Sequence, residues 1–363
     1  ENDPVKFALA IDLQRTSPEQ RIEKVADNVL ELVTMAEAGG IDYVFAAEHH
    51  TIEYTIGPNP FIMLTQWANH TRRIRLGPAV AVAPYWHPIR LAAEAALFDV
   101  LSGGRLEFGI GRGAYQYEFD RMAGGIPQQQ GSAHLREALP AILKLWQGDY
   151  AHDGTIWKWP RATSVPKPMQ KPHPPLWIAA RDPDTFDFAF NVGANIMSNP
   201  LSKPFAEMEV LAAKFTAACA HRPDRPRPSW MILRRTCVYE SPEDWRVPYQ
   251  CSLDNLRAFE NLFKNLGGVE HGFPDLVSVD IMANKADLSP ETMRENLMFG
   301  TPEEVTRKLR MYEAVGCDIF LAGVSFGLPH DVARRSLDLF CREVIPAFRG
   351  SASTPRRATA RTV

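Results

Sequence analysis

Three clusters in this sequence carry residue types that can do chemistry. The first is Glu48-His49-His50, at the end of the apolar run Tyr43 to Ala47. An imidazole beside a carboxylate can act as general acid or base, with the carboxylate orienting the ring. The same polar groups can equally be a strand end satisfied by loop amides, and residue types alone leave both readings open. The second is Arg112 in Gly111-Arg112-Gly113, placed where the apolar run Leu106 to Ile110 should stop. A cation among small residues at a strand's carboxyl end is suited to hold an anion. The third is Asp182-Pro183-Asp184-Thr185, which opens a helix directly after the apolar run Leu176 to Ala180. Free amides at a helix start form an anion site. Arg112, Arg181 and the Thr185 hydroxyl would strengthen it. The plainer alternative is a capped helix, with Arg112 in a structural ion pair.

A metal centre is not expected. Adjacent histidines on a strand point to opposite faces, so His49 and His50 are poorly placed to share an ion. The sequence also has no pair of histidines two or four apart. His87, just before Pro88, is expected to cap or pack. The run Leu76 to Pro84 is rich in small residues, which fits tight packing or the close approach of a flat ring to bare backbone.

Strands and helices must alternate to bring these clusters together, and the sequence signals do alternate. Strand-like runs at 5–11, 43–47, 74–83, 106–110, 176–180, 194–197, 230–239 and 318–323 are mostly followed by helical patterns. Ser17-Pro18-Glu19-Gln20 and Thr301-Pro302-Glu303-Glu304 read as helix-opening capping boxes. Helices are also expected over 60–69, 88–101, 132–146, 203–220, 253–266 and 331–348. The Pro-rich stretch 160–175 reads as a long loop or hairpin. Residues 267–299 are poorly patterned and expected to pass over the active face. A motif, Met-x-Glu-Ala-x-Gly-x-Asp, occurs at 35–42 and again at 311–318. About eight doubly buried strands with intervening helices predict a (β/α)8 barrel. An open doubly wound sheet fits less well, because no GxGxxG follows the first strand.

The 363 residues suit one large α/β domain or two ordinary ones. A net charge of −3 gives no electrostatic case for binding nucleic acid or an anionic membrane. The five cysteines are scattered, which suggests reduced thiols. Residues 1–22 lack a signal peptide's apolar run and nothing is long enough to span a membrane, so a cytoplasmic location is expected. Residues 350–363, rich in Ser, Thr, Ala and Arg, are expected to be a disordered tail after a single domain over 1–349.

Several of these segments, taken together and in order, match one known group. They are FAAEHH (45–50), HPIRLAAE (87–94), SGGR (102–105), GIGRGAYQYEF (109–119), PKPMQKPHPPLWIAA (166–180) and FGTPEEVTRKLRMYEAVGCDIFL (299–321). The chain resembles the bacterial luciferase-like family of flavin-dependent monooxygenases over about residues 5–348. The resemblance implies a (β/α)8 TIM barrel with an insertion near its C-terminal mouth. It implies reduced FMN as co-substrate from a separate flavin reductase, O2 added at flavin C4a as a peroxide, a small organic substrate, and a homodimer. It makes His49 the catalytic imidazole, with Glu48 assigned to the same proton relay. Arg112, Asp182 and Thr185 fall on the flavin-phosphate positions, alongside Ala180 and Arg181. Ala79-Val80 matches a non-proline cis peptide under the flavin ring, and Tyr115 would line the pocket. Two departures stand out: Gly111 replaces a reactive cysteine of luciferase, and Arg181 replaces an acid. An F420-dependent oxidoreductase of the same fold and a non-catalytic flavin-binding subunit are the rival readings. Arg234-Arg235 and Arg181 are the hints of an anionic substrate.

Overall fold

The computed structural model describes residues 4–282 and 285–349. The expected tail, 350–363, lies outside them. Eight parallel strands form the barrel, in chain order Lys6–Ala10, Tyr43–Ala46, a third strand in two pieces (Arg75–Pro78 and Ala81–Val82), Phe108–Gly111, Leu176–Ala179, Asn195–Ser198, Trp230–Val238 and Ile319–Gly323. Hydrogen bonding runs from Arg75–Pro78 through the second and first strands to the eighth, seventh, sixth, fifth and fourth, and reaches Ala81–Val82. The two ends of that path are the same strand, interrupted at Ala79-Val80, so the ring closes there. That peptide bond is cis, as expected.

The period of two along each strand sorts the side chains. Ala8, Phe45, Trp177, Met197, Met231 and Leu321 fill the barrel interior. Their neighbours Phe7, Leu9, Val44, Ile178 and Ile232 join the outer core, which packs against the helices. Bare backbone allows the third and fourth strands to approach closely. A Cβ on Gly77 would stand 1.8 Å from the Glu107 carbonyl oxygen, and one on Gly109 2.0 Å from that of Pro78. The repeated Met-x-Glu-Ala-x-Gly-x-Asp motif does the same structural work twice. Gly40 and Gly316 take positive φ after their helices, and the aspartate that follows accepts a strand amide, Phe7 for Asp42 and Trp230 for Asp318.

Several boundaries differ from expectation. The first helix is Ile22–Ala38, preceded by Arg21, whose side chain does not cap it. Ser17 to Gln20 instead close a turn ahead of it, with the Gln20 carboxamide accepting the Thr16 and Ser17 amides. The box at Thr301 and Glu304 does cap its helix, Pro302–Ala314. Gly111 belongs to the fourth strand. Tyr150–Asp153 and Lys158–Ala162 form an antiparallel hairpin. After the seventh strand the chain makes its long insertion. A helix over Arg246–Lys264 starts seven residues earlier than expected. The poorly patterned stretch hides a small hairpin, the helix Pro290–Asn296 and a strand, Met298–Gly300, that extends the seventh strand's pairing at Thr236 to Val238.

Candidate active site

Strand parity decides what the Glu48-His49-His50 cluster does. Phe45 points into the barrel, so His49 lies on the inward side and Glu48 and His50 on the other. The two outward groups bond each other, His50 Nε2 to Glu48 Oε1 at 2.8 Å. The other Glu48 oxygen accepts the Val82 amide at 2.6 Å and the Trp86 indole N–H at 2.7 Å. Glu48 therefore does not orient His49, contrary to the sequence reading. It is a buried clamp that fixes the chain just after Ala79-Val80.

His49 has a different carboxylate. Its Nδ1 lies 3.1 Å from both oxygens of Glu118, which also accepts the His50 amide at 2.6 Å. Glu118 sits on the short helix Gln116–Met122 and is almost fully buried. Sequence reasoning missed it. The available signal was an acid on the same helix face as the apolar Tyr115 and Phe119. Burial alone would lower the His49 pKa, but the charge of Glu118 and the bond to it outweigh burial, with Asp12 and Glu48 adding to them, so the pKa is raised from 6.5. The ring also stacks on Tyr115, centroids 4.7 Å apart and 20° from parallel. Asp12, partly buried just beyond the end of the first strand, accepts the Ala47 amide at 2.6 Å. Burial raises its carboxyl pKa, against the opposing pull of the Ala47 bond and the His49 charge.

Tyr115 lines a cavity of about 170 Å3 at the barrel mouth, together with Asp12, Tyr54, Arg235, Asn255 and Phe259. His49 reaches that space only through its stack on Tyr115. The cavity's far wall is the insertion helix Arg246–Lys264, which contributes Asn255 and Phe259. That helix covers the mouth, a role expected of the stretch after it.

The anion-site residues gather at the neighbouring fourth and fifth strand ends. Ile110 pairs with Ile178, so Arg112 and Ala180 follow side by side. Gly131, which opens the helix Gly131–Gln147, packs against the Arg112 carbonyl with no room for a Cβ. The same helix sends Arg136 to the Asp184 carboxylate at 2.6 Å. Arg136 was not singled out in the sequence. The Arg112 guanidinium has no hydrogen bond or ion pair among the described residues. The helix start itself differs from expectation. Asp182 is the N-cap and takes both the amide and the hydroxyl of Thr185. Pro183 has no N–H, and the Phe186 amide bonds the Asp182 carbonyl, which leaves Asp184 the open amide of the first turn. Arg181 is exposed and donates to the Asn199 carbonyl at 3.3 Å. Ala180 is buried, its carbonyl accepting the Ser198 hydroxyl. A phosphate here would rest on Arg112 more than on free helix amides. His87 caps the next helix by accepting the Ile89 amide, as expected.

The inward face of Gly111 meets Val80. A Cβ at Gly111 would stand 2.5 Å from Val80 Cγ2. The absence of a side chain at 111 and the valine at 80 are thus one packing decision.

The sequence pattern of luciferase-like monooxygenases matches residues 6–318. The chain belongs to that family. It is an oxidoreductase of the flavin-dependent kind, as the resemblance implied. It is 39% identical over 359 residues to the oxygenase component of a flavin-dependent trigonelline monooxygenase of Acinetobacter baylyi (strain ATCC 33305 / BD413 / ADP1), covering 98% of this chain and 99% of the relative. Among solved structures it is similar to monooxygenase RslO1 of Streptomyces bottropensis, with a TM-score of 0.79 at 23% identity over 95% of this chain and 100% of that one. It is also similar to an F420-dependent secondary alcohol dehydrogenase, with a TM-score of 0.73 at 18% identity over 95% of this chain and 99% of that one. These two likenesses establish the barrel fold. They do not choose the cofactor, because the same barrel serves both chemistries.

Proposed function

We propose that this protein is the oxygenase of a two-component system that uses reduced FMN and O2 to oxygenate a small organic substrate. A separate reductase supplies the flavin, and the chain works as a cytoplasmic homodimer. The observation that carries the reading is Arg112, a half-buried guanidinium at a strand's carboxyl end with no acceptor among the described residues. An unpaired, partly buried cation is suited to an anion, and the phosphate of FMN is a suitable one. Gly77, Gly109 and Gly111 let the third and fourth strands close up around Ala79-Val80, which fixes the strand end beside Arg112. The residues thus fit the cofactor, although the Asp182 cap makes Thr185 a weaker phosphate ligand than expected.

Arg112 would hold the phosphate, with Arg136 able to leave its exposed partner Asp184 and join it. Bound reduced flavin would supply the electrons that activate O2. His49, kept readily protonated by Glu118, would hold a proton behind Tyr115 at the edge of the mouth. Tyr115 stacks on that ring and, with Phe259, keeps bulk water from the cavity. The near full-length likeness to a monooxygenase favours oxygenation over F420-dependent hydride transfer. The intact His49–Glu118 couple argues against a non-catalytic subunit.

The test is oxygen consumption with chemically reduced FMN, trigonelline being the first substrate to assay. Arg112→Ala should weaken FMN binding by roughly tenfold to hundredfold. Tight binding of F420 with no response to FMN would overturn the reading.

A further inference from the structure

Arg234 and Arg235 are adjacent in the seventh strand, and parity sends them to opposite sides. Met231 and Leu233 face the interior, so Arg235 does too. Arg234 is buried on the outer side, where it bonds the Tyr312 hydroxyl and the Leu201 carbonyl. Arg235 lines the mouth cavity. Its Nη1 donates to the Ser252 hydroxyl at 3.0 Å and the Ser252 carbonyl at 3.3 Å, and its Nη2 to Asn255 Oδ1 at 2.5 Å. All three acceptors are neutral. Among the described residues Arg235 makes no ion pair, and Asp12, the acid on the same cavity, is bound to Ala47 and interacts with His49.

Arginine has five N–H groups, and these bonds use three. No bond is made by the Nε–H, and with the Tyr54 hydroxyl beside the guanidinium this edge can take a carboxylate through charge-assisted bonds. Ser252 and Asn255 hold the rest of the guanidinium in place. Tyr54 braces Asn255 through its hydroxyl at 2.7 Å. Facing this cation are Tyr115 and Phe259, ring centroids 5.5 Å apart at 74°, an aromatic corner that can receive a flat ring. The volume of about 170 Å3 is below the roughly 300–1,000 Å3 of sites for larger ligands. It admits a small molecule.

We infer that this cavity is the substrate subsite and selects a small, flat aromatic carboxylate, with Arg235 binding the carboxylate group. The inference rests on the monooxygenase reading for the word substrate, but the binding preference stands apart from it. A second source of the same chemistry exists, since a reduced flavin ring is itself a planar, delocalised anion.

Nicotinate and nicotinamide have nearly the same shape and differ in charge. Their affinities for the wild-type protein, Arg235→Met and Arg235→Lys should be measured by titration calorimetry, with and without FMN, alongside the affinity of each protein for FMN and its reduced form. The wild type should bind nicotinate roughly tenfold to hundredfold more tightly than nicotinamide. Arg235→Met should lose that preference while its thermal unfolding stays cooperative. Arg235→Lys should keep part of it, a point charge replacing a guanidinium edge. Equal binding of both compounds, no binding of either, or a preference that survives in Arg235→Met would each overturn the inference. Loss of reduced-flavin affinity with the nicotinate preference intact would assign Arg235 to the flavin instead. Failure of the monooxygenase reading looks different: no oxygen consumption with reduced FMN, while the nicotinate preference persists.

Discussion

Two histidines, adjacent in sequence and each with its own glutamate, end up in unlike surroundings. His50 and Glu48 are two residues apart on one strand face, and their carboxylate also holds the Val82 amide and the Trp86 indole. His49 pairs with Glu118, 69 residues away, and stacks on a tyrosine that lines the mouth cavity. The first pair closes a local structural knot, and the second leaves Nε2 of an easily protonated ring for other partners. The same residue types become scaffold or reactive group according to strand parity and to what the rest of the barrel brings up to each face.

The sharpest way to break this contrast is to remove each imidazole. His49→Ala should lower kcat/KM by about 10²–10⁴-fold, the usual share of a general acid or base. His50→Ala should cost far less activity and should show instead as lost stability. Equal losses in steady-state assays would end the distinction. Glu48→Ala should rank next, because it strands two buried donors. A destabilisation of about 2–5 kcal/mol is expected from urea unfolding, with Glu48→Gln milder because one amide oxygen can still accept.

Glu118→Gln tests the other pair. With the carboxylate charge gone, burial is less well opposed, and the His49 pKa should fall, as an NMR titration of its ring proton would record. The sign for stability follows. The folded pKa of His49 is raised, so its charged pairing contributes stability that is complete below pH 6.5 and is lost as pH rises through the folded value. Denaturation midpoints across that range should fall less with rising pH in Glu118→Gln. An unchanged slope would mean the couple does not govern the imidazole. The smallest effect concerns Gly111. Gly111→Ala should cost about 1–3 kcal/mol through overlap with Val80, and Val80→Ala should relieve most of it. Additive costs in that double-mutant cycle would show the two positions to be independent.

The barrel was legible because it repeats one local pattern: strands buried on both faces, helices with a proline start and a glycine stop, and one motif used twice at 35–42 and 311–318. The insertion after the seventh strand was less legible. Its helix begins at Arg246 with Pro248 in the first turn, and the strand Met298–Gly300 is too short to show a period. In the site, Arg112, Tyr115 and His49 were readable as strand-end or pocket residues. The role given to Glu48 was misread because proximity in sequence was taken for proximity in space.

The sequence by itself determined the alternation of elements, the parity that separates His49 from His50 and Arg235 from Arg234, and the small residues at 77, 109 and 111. These follow from local periodicity and steric size. Only the tertiary structure decided which carboxylate serves which imidazole, that Asp182 caps its own helix start, that Val80 fills the space at Gly111, and that the helix Arg246–Lys264 closes the mouth over Arg235. Each of these depends on contacts between residues distant in the chain, and such contacts are set by how strands and helices pack rather than by any local pattern.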